Sequence, residues 1–400
     1  MRSCRRSNRS TVAPYPSLVR RGRVAAVLAV AAYAGVLLAA WSLVQNVNDY
    51  AGFVAGARAL LAGESPYDPT TWPTAWERLG TQRPDTSVYG YPAWVALLFL
   101  PLAPLPITIG SLLFNIGTLA SAVFATRRLA LRVGASPLTA LVITTASWPA
   151  FLVFLQGQWA YLLYALAVWT YLDLVRGRDA RAGVWWAVAV LLKPQLYVFA
   201  SLALAAYVIK ARRWRVFVAG AAVAIVAVVG SALVFPGWWT PWLGAVASRR
   251  LVRSTQQPTL AGLAGDVAGD AWPIAWGVSV AVLAFAIFWA ARRAPERRGE
   301  ILFFGTLSLS VGAALYSWSY DQYLVIGCGI VSLGLASGTP SQRAIAIATF
   351  ALFLPVALGL WLLAFWRFHD TGSGLVPVFA IALLVAAARV RAIRSTTPEG

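Results

Sequence analysis

The chain has 400 residues, 60% of them hydrophobic and only 12% charged, with a mean hydropathy of +0.69. A soluble protein of this size lacks the polar surface to cover so much apolar side chain, so a soluble globular domain is excluded. The net charge of +19 does not make a nucleic-acid binder. The arginines form no single patch and are not interleaved with stacking aromatics. They sit in short clusters between hydrophobic stretches: Arg20, Arg21 and Arg23; Arg127 and Arg128; Arg176, Arg178 and Arg181; Arg212, Arg213 and Arg215; Arg292, Arg293, Arg297 and Arg298; Arg389, Arg391 and Arg394. This is the signature of cytoplasmic loops in a multi-pass membrane protein.

Residues 1–23 read as a polar, basic, disordered cytoplasmic tail. A first helix over about 24–44 has no small-residue cleavage site after it and is expected to be retained. Residues 45–92 form a long outer segment holding Asp49, Glu64, Asp68, Glu77 and Asp85. Within it, 50–62 reads as an interfacial amphipathic helix, ended by Gly63, Pro66 and Pro69. The apolar run 93–105 is short, with Pro101, Pro104 and Pro106 in quick order. A full crossing there would put Arg127 and Arg128 outside, so it reads as re-entrant or interfacial.

Spans are expected over 106–126, 137–155 and 159–175, the last two flanking the outer turn Gln156-Gly157-Gln158. Arg181 and Lys210 both belong inside, yet the 28 residues between them are mostly apolar. Two short passes satisfy the charge rule, turning at Lys193-Pro194-Gln195 below the outer surface. Non-helical backbone at that depth needs a protein-lined or water-filled cavity. A span over 216–235 leads to an outer loop, 236–273, with Trp238, Trp239 and Trp242 as an interface belt. Further passes over 274–291, 301–317, 321–337, 344–366 and 375–388 make an all-α protein of about 12 transmembrane helices. The transmembrane domain covers 24–388, the 389–400 tail is cytoplasmic, and both termini lie inside.

Several polar residues are candidates for chemistry. Asp49 stands just past the first helix, where a low dielectric suits a general base, whose pKa lies above that of a solvated carboxylate; the competing reading makes it the N-cap of the next helix. Lys193, one of two lysines, is ionisable at membrane depth and suits a phosphate or sugar hydroxyl, or else snorkels to an interface. Arg249, Arg250 and Arg253 on an outer loop suit a lipid phosphate, or merely head groups. Asp321 follows Tyr316, Trp318 and Tyr320, a sugar-binding combination or an interface belt. His369 is the only histidine, and Cys4 and Cys328 are too far apart in character to pair. These counts leave no transition-metal centre, and no cofactor is expected. The parts suit glycosyl transfer from a lipid-phosphate sugar, and also a transporter. The acids cluster in an outer loop rather than within helices, which favours transfer.

Five short motifs, in order, carry a resemblance. Asp49-Tyr50, Ala57 to Gly63 and Ser65-Pro66-Tyr67-Asp68 form the first, and Tyr91-Pro92 with the run to Pro104 is the second. Gly157-Gln158, Leu192-Lys193-Pro194 and Gln257-Pro258-Thr259-Leu260-Ala261-Gly262-Leu263 follow. Together they resemble glycosyltransferase family 87, across about 24–388. The resemblance implies a GT-C fold and inverting transfer of mannose or arabinofuranose from a polyprenyl-phosphate donor to a lipid or glycan acceptor of the cell envelope. It places the chain among bacterial cytoplasmic-membrane proteins, surrounded by membrane lipids, with an outward-facing active site. It makes Asp49 the base and marks Tyr67, Asp68, Gln158 and Gln322 for the sugar or donor phosphate, beside Lys193, Asp321 and the outer arginines. Where the family often has two histidines after Ser319-Tyr320-Asp321, this chain has Gln322 and Tyr323. A flippase or transporter of polyprenyl-linked sugars is the alternative.

Overall fold

A computed structural model of the protein describes residues 16–45, 48–80, 89–253, 256–356, 358–359 and 370–396, which are helical with no strand among them. The chain divides into two compact units, Met1–Val44 and Gln45–Gly400. The first contributes one helix, α1 (Pro16–Val44). It starts at a proline, whose missing N–H costs nothing at a helix N-terminus, and so begins inside the stretch expected to be a tail.

The second unit opens with a layer of short helices: α2 (Asp49–Leu61), α3 (Thr71–Glu77) and α4 (Ala93–Leu98). The sequence reads α2 as an interfacial amphipathic helix. In the structure it is packed on several sides, with Tyr50, Phe53, Val54, Ala51, Ala55 and Ala59 all buried. Small residues let neighbouring chains approach α2, while Phe53 wedges among Tyr91, Phe99 and Trp159 with ring centroids 4.9–5.1 Å away. A second aromatic cluster, built on Tyr67, Trp72, Trp76, Tyr89 and Trp238, covers the other side. The described residues of the acid-rich segment therefore form a small packed layer. The run expected to be non-spanning forms only six helical residues in α4, after which the proline-rich turn is clasped by Arg58. Its guanidinium donates to the carbonyls of Ala103 (2.8 Å) and Leu105 (3.0 Å).

The rest follows as α5 (Ile107–Val133), α6 (Pro137–Ala146), α7 (Trp148–Gln156), α8 (Ala160–Val175), α9 (Asp179–Leu192), α10 (Val198–Lys210), α11 (Arg215–Val234), α12 (Trp239–Arg253), α13 (Leu260–Ala268), α14 (Trp272–Arg293), α15 (Arg298–Ala313), α16 (Ile326–Ala336), α17 (Gln342–Ala351) and α18 (Leu375–Thr396). The expected outer loop 236–273 is largely helical, holding α12 and α13. Thr259 caps α13 by accepting from Gly262 N–H. The single span expected over 137–155 is broken at Ser147, where α6 and α7 meet at a 48° bend. Ser147 caps α7 by accepting from Ala150 N–H, and Pro149 in that first turn has no N–H to continue α6.

Among the described residues, four helices are long and apolar enough to cross a membrane, and up to six if two bent pairs each count as one span. The expected twelve do not emerge from helix length. The elements 179–192 and 198–210 are 14 and 13 residues, or roughly 20 Å each at 1.5 Å per residue. That is short of the ~30 Å hydrocarbon core. The expected span 344–366 starts as α17 and a π-helical turn to Val356, and most of its remainder lies outside the described residues.

Helix α11 buries almost nothing but packs tightly on α9, where a Cβ on Gly183 would run into the carbonyl oxygen of Val216. Gly183→Ala is expected to destabilise the protein by about 1–3 kcal/mol, the usual cost of overpacking. Gly117→Ala, a helical position with open space around it, should be neutral or slightly stabilising. Thermal unfolding in detergent checks the contrast.

Candidate functional site

The site is assembled where α2 begins. The helix needs an N-cap, and Asn48 supplies it: its Oδ1 accepts from Ala51 N–H at 3.2 Å. Asp49 is therefore not the cap, as one sequence reading has it, but the first helical residue, and its carboxylate is spared that task. The Asn48 side chain also donates to the carbonyl of Leu155 at 3.1 Å, and Asn115 donates to that of Phe154 at 2.9 Å. Two asparagines thus satisfy the orphan carbonyls ending α7 and tie that end to the start of α2.

Beyond α7 the chain turns sharply. Gly157 has φ +59°, with Gly157 N–H bonded to Phe154 and Gln158 N–H to Val153; this pair of bonds is a Schellman motif, which calls for glycine. The turn is pressed on α2 so closely that a Cβ on Gly157 would lie 2.5 Å from the Tyr50 Cβ. Gln158, fully buried, then donates through Nε2 to Asp49 Oδ2 at 2.6 Å and to the Tyr91 hydroxyl at 3.3 Å. Its Oε1 accepts from Trp159 N–H.

Lys193 comes from the other side. It ends α9 in an extended conformation, as a residue before proline must, and is 4% exposed. It does not snorkel. Its Nζ lies 2.7 Å from Asp321 Oδ1 and 4.7 Å from the centre of the Tyr320 ring. The turn after it, a short 3-10 helix over Pro194–Leu196, is enclosed by protein: Tyr197 donates to Leu163 O, Ser310 accepts from Ala200 N–H, and Trp94 donates to Leu191 O. Asp321 also accepts from Trp318 N–H at 3.1 Å, fixing the 3-10 segment Ser319–Val325. Lys193, Tyr320 and Asp321 all lie within electrostatic reach of Asp49. Asp49, Tyr91, Tyr316 and Trp318 are half-buried and form the accessible rim. Gln158, Lys193, Tyr320 and Asp321 are buried beneath it. The arrangement offers a carboxylate held by an amide beside a carboxylate–ammonium pair, under aromatic rings.

Other expected residues are placed differently. Tyr67 lies one step away, donating to the Tyr91 carbonyl at 2.6 Å. Asp68 accepts from Thr70 N–H (2.8 Å) and Thr70 Oγ1 (2.7 Å), and these bonds hold its pKa below the usual carboxylate value; it shapes the turn into α3. Gln322 is buried with its amide on the Ser373 carbonyl at 2.6 Å, and Tyr323 donates to Thr144 O. Both positions anchor the 3-10 segment to neighbouring helices. Arg249, Arg250 and Arg253 fall on α12, and their side chains lie outside the described residues, as does His369. Sequence reasoning missed Asn48, Asn115 and Tyr91 as parts of this site. The signal for Asn115 was present, a lone amide within an apolar span; Asn48 was hidden beside the more conspicuous Asp49.

The model of glycosyltransferase family 87 matches residues 89–318, more than half of the chain. No curated protein and no solved structure matches. The matched stretch includes Tyr91, Gln158 and Lys193; Asp49 lies before it and Asp321 just beyond it.

Gly157→Ala is expected to cost at least about 1 kcal/mol from the positive φ alone, and more from the clash with Tyr50. The Gln158–Asp49 bond should be lost with it, read as a lowered melting temperature together with lost activity. Asp370, in the turn before α18, accepts from Ser373 Oγ at 2.8 Å. Burial pushes its pKa up to about 7 from 3.8, against a smaller downward pull from that hydroxyl. The folded state thus holds a proton that the unfolded chain releases. The stabilisation is complete below the unfolded pKa and lost as pH rises through about 7. The melting temperature should fall between about pH 4 and 7, the interval between the two values, and Asp370→Asn should flatten that slope.

Proposed function

Because the chain belongs to glycosyltransferase family 87 and is a membrane glycosyltransferase, we propose that Asp49 is its general base, acting on a polyprenyl-phosphate-linked sugar donor. The acceptor hydroxyl gives its proton to the Asp49 carboxylate while its oxygen attacks the anomeric carbon from the face opposite the phosphate. The carbon–oxygen bond to phosphate breaks, its electrons leave with the polyprenyl phosphate, and configuration inverts. The observation that carries this reading is the hand-over of the helix cap to Asn48, which leaves the half-buried Asp49 carboxylate free of that task and held by the Gln158 amide beside Tyr320. Gln158 orients the base. Lys193, aimed by Asp321, has further N–H donors for the leaving phosphate; the α12 arginines are the other candidates for that role. Tyr91, Tyr316 and Trp318 supply ring faces and hydroxyls for the sugar.

In this reading the sugar is mannose or arabinofuranose, and the acceptor is an envelope lipid or glycan. The α2–α4 layer faces outward from a bacterial cytoplasmic membrane, and the arginine clusters lie inside. The twelve-pass GT-C arrangement, with its short and broken passes, belongs to the same proposal.

Reconstituted membranes given polyprenyl-phosphate-mannose or polyprenyl-phosphate-arabinose, with a crude envelope glycolipid extract, should yield product from one donor. Asp49→Asn should lower that rate by roughly 10²–10⁴-fold, the usual contribution of a general base. Product formation unaffected by Asp49→Asn would remove Asp49 from the role, and lipid flipping without product would favour a transporter. Orientation has its own readout. In a Cys4→Ser background, Glu77→Cys, which is exposed on α3, should react with an impermeant maleimide added outside. Arg298→Cys, exposed at the start of α15, should react only after permeabilisation, and the reverse pattern would invert the topology.

A further inference from the structure

Helices α14 and α18 pack side by side, and a groove of about 530 Å³ runs along their seam. Its lining positions on α18, from Val378 through Ile381, Ala382, Val385 and Ala386 to Arg389, recur every three or four residues and so form one helix face. Ala286, Ala382 and Ala386 leave the room, and larger aliphatic side chains with Trp289 make the walls. Every lining residue is apolar except Arg389, which stands near one end.

Two further features define the occupant. From Val378 to Arg389 the groove runs eleven residues, or ~17 Å at 1.5 Å per residue, about half of the ~30 Å hydrocarbon core. It is one leaflet deep. Its charged end is crowded with cations: Arg292 and Arg293 close α14, their guanidinium groups 4.5 and 5.0 Å from the ring centres of Phe288 and Trp289. Glu296 in the following turn lies against Arg391. The candidate active site is at the opposite end of α18, where Gln322 grips Ser373, roughly 24 Å from Arg389 along the helix. The groove is therefore separate from the glycosyl-transfer chemistry.

We propose that this groove is a binding site for an anionic glycerophospholipid of the cytoplasmic leaflet, with one acyl chain along the α14–α18 seam and the phosphate on Arg389, flanked by Arg292 and Arg293. An arginine fork suits a phosphate oxygen pair, and a basic cluster at the cytoplasmic ends of helices attracts anionic lipid. The alanine floor leaves room for a methylene chain.

The test uses the full-length protein in nanodiscs of equal phosphatidylglycerol and phosphatidylcholine, released and analysed by native mass spectrometry. Wild type should retain phosphatidylglycerol at least fivefold over phosphatidylcholine. Arg389→Gln should bring the ratio close to one. Ala386→Trp, which fills the groove from a membrane-exposed position and keeps every charge, should remove one bound lipid; size-exclusion profiles confirm that both variants are folded. Equal retention of the two lipids by wild type would overturn the proposal. So would a lipid count unchanged in Ala386→Trp, or a retained molecule that proves to be a polyprenyl phosphate.

Discussion

The salt bridge between Lys193 and Asp321 is the constraint on which the middle of the molecule depends. Lys193 is buried in protein, where an ammonium group is tolerable only when paired, and breaking such a pair by removing one partner costs about 3–5 kcal/mol. The two partners arise 128 residues apart. One ends α9 at a break before proline; the other sits in a 3-10 turn whose own start it caps. Joining them holds the α9–α10 turn against residues 317–325, and the residues after Asp321 carry the connection onward, Gln322 to Ser373 and Tyr323 to Thr144. A short polar turn thus gathers α6, α9 and the approach to α18 around one point.

Asp49 reaches that point through a division of labour between adjacent residues. Asn48 caps α2 and grips the end of α7 with the same side chain, while Asp49 faces Gln158. The left-handed Gly157 makes the approach of that turn possible, and Arg58 secures the far side by holding the proline-rich turn. Each contact is small. Together they bring a carboxylate, an amide and a paired lysine from remote parts of the chain within hydrogen-bonding or electrostatic reach of one another.

Much of this was legible in the sequence, for identifiable reasons. The break at Lys193-Pro194 followed from charge: with Arg181 and Lys210 expected on one side, the residues between them were too few for two full crossings, and the structure has two short helices there. The brevity of α4 after Pro92 followed from the prolines behind it. What stayed hidden depended on tertiary contact. Hydrophobic periodicity cannot distinguish a helix lying in an interface from one buried by aromatic neighbours, so α2 read as amphipathic. The break at Ser147 left a span-length apolar run in the sequence, and α12 and α13 were concealed within a stretch whose tryptophans suggested a loop. The pairing of Lys193 with Asp321 has no local signature at all. Nor did the motif comparison reveal that Gln322 and Tyr323 serve as anchors here.

The hydrogen bonding of Gln158 bears on how the enzyme would reset between turnovers. The atom facing Asp49 is Nε2, which only donates, and the amide's acceptor Oε1 is occupied by Trp159 N–H. A proton taken up by Asp49 therefore has no relay into the protein along this route. In the proposed mechanism it leaves by the half-buried face through which the acceptor would arrive, and solvent on that same side would regenerate the base. In such a site the direction of proton exit and the direction of substrate entry are one and the same.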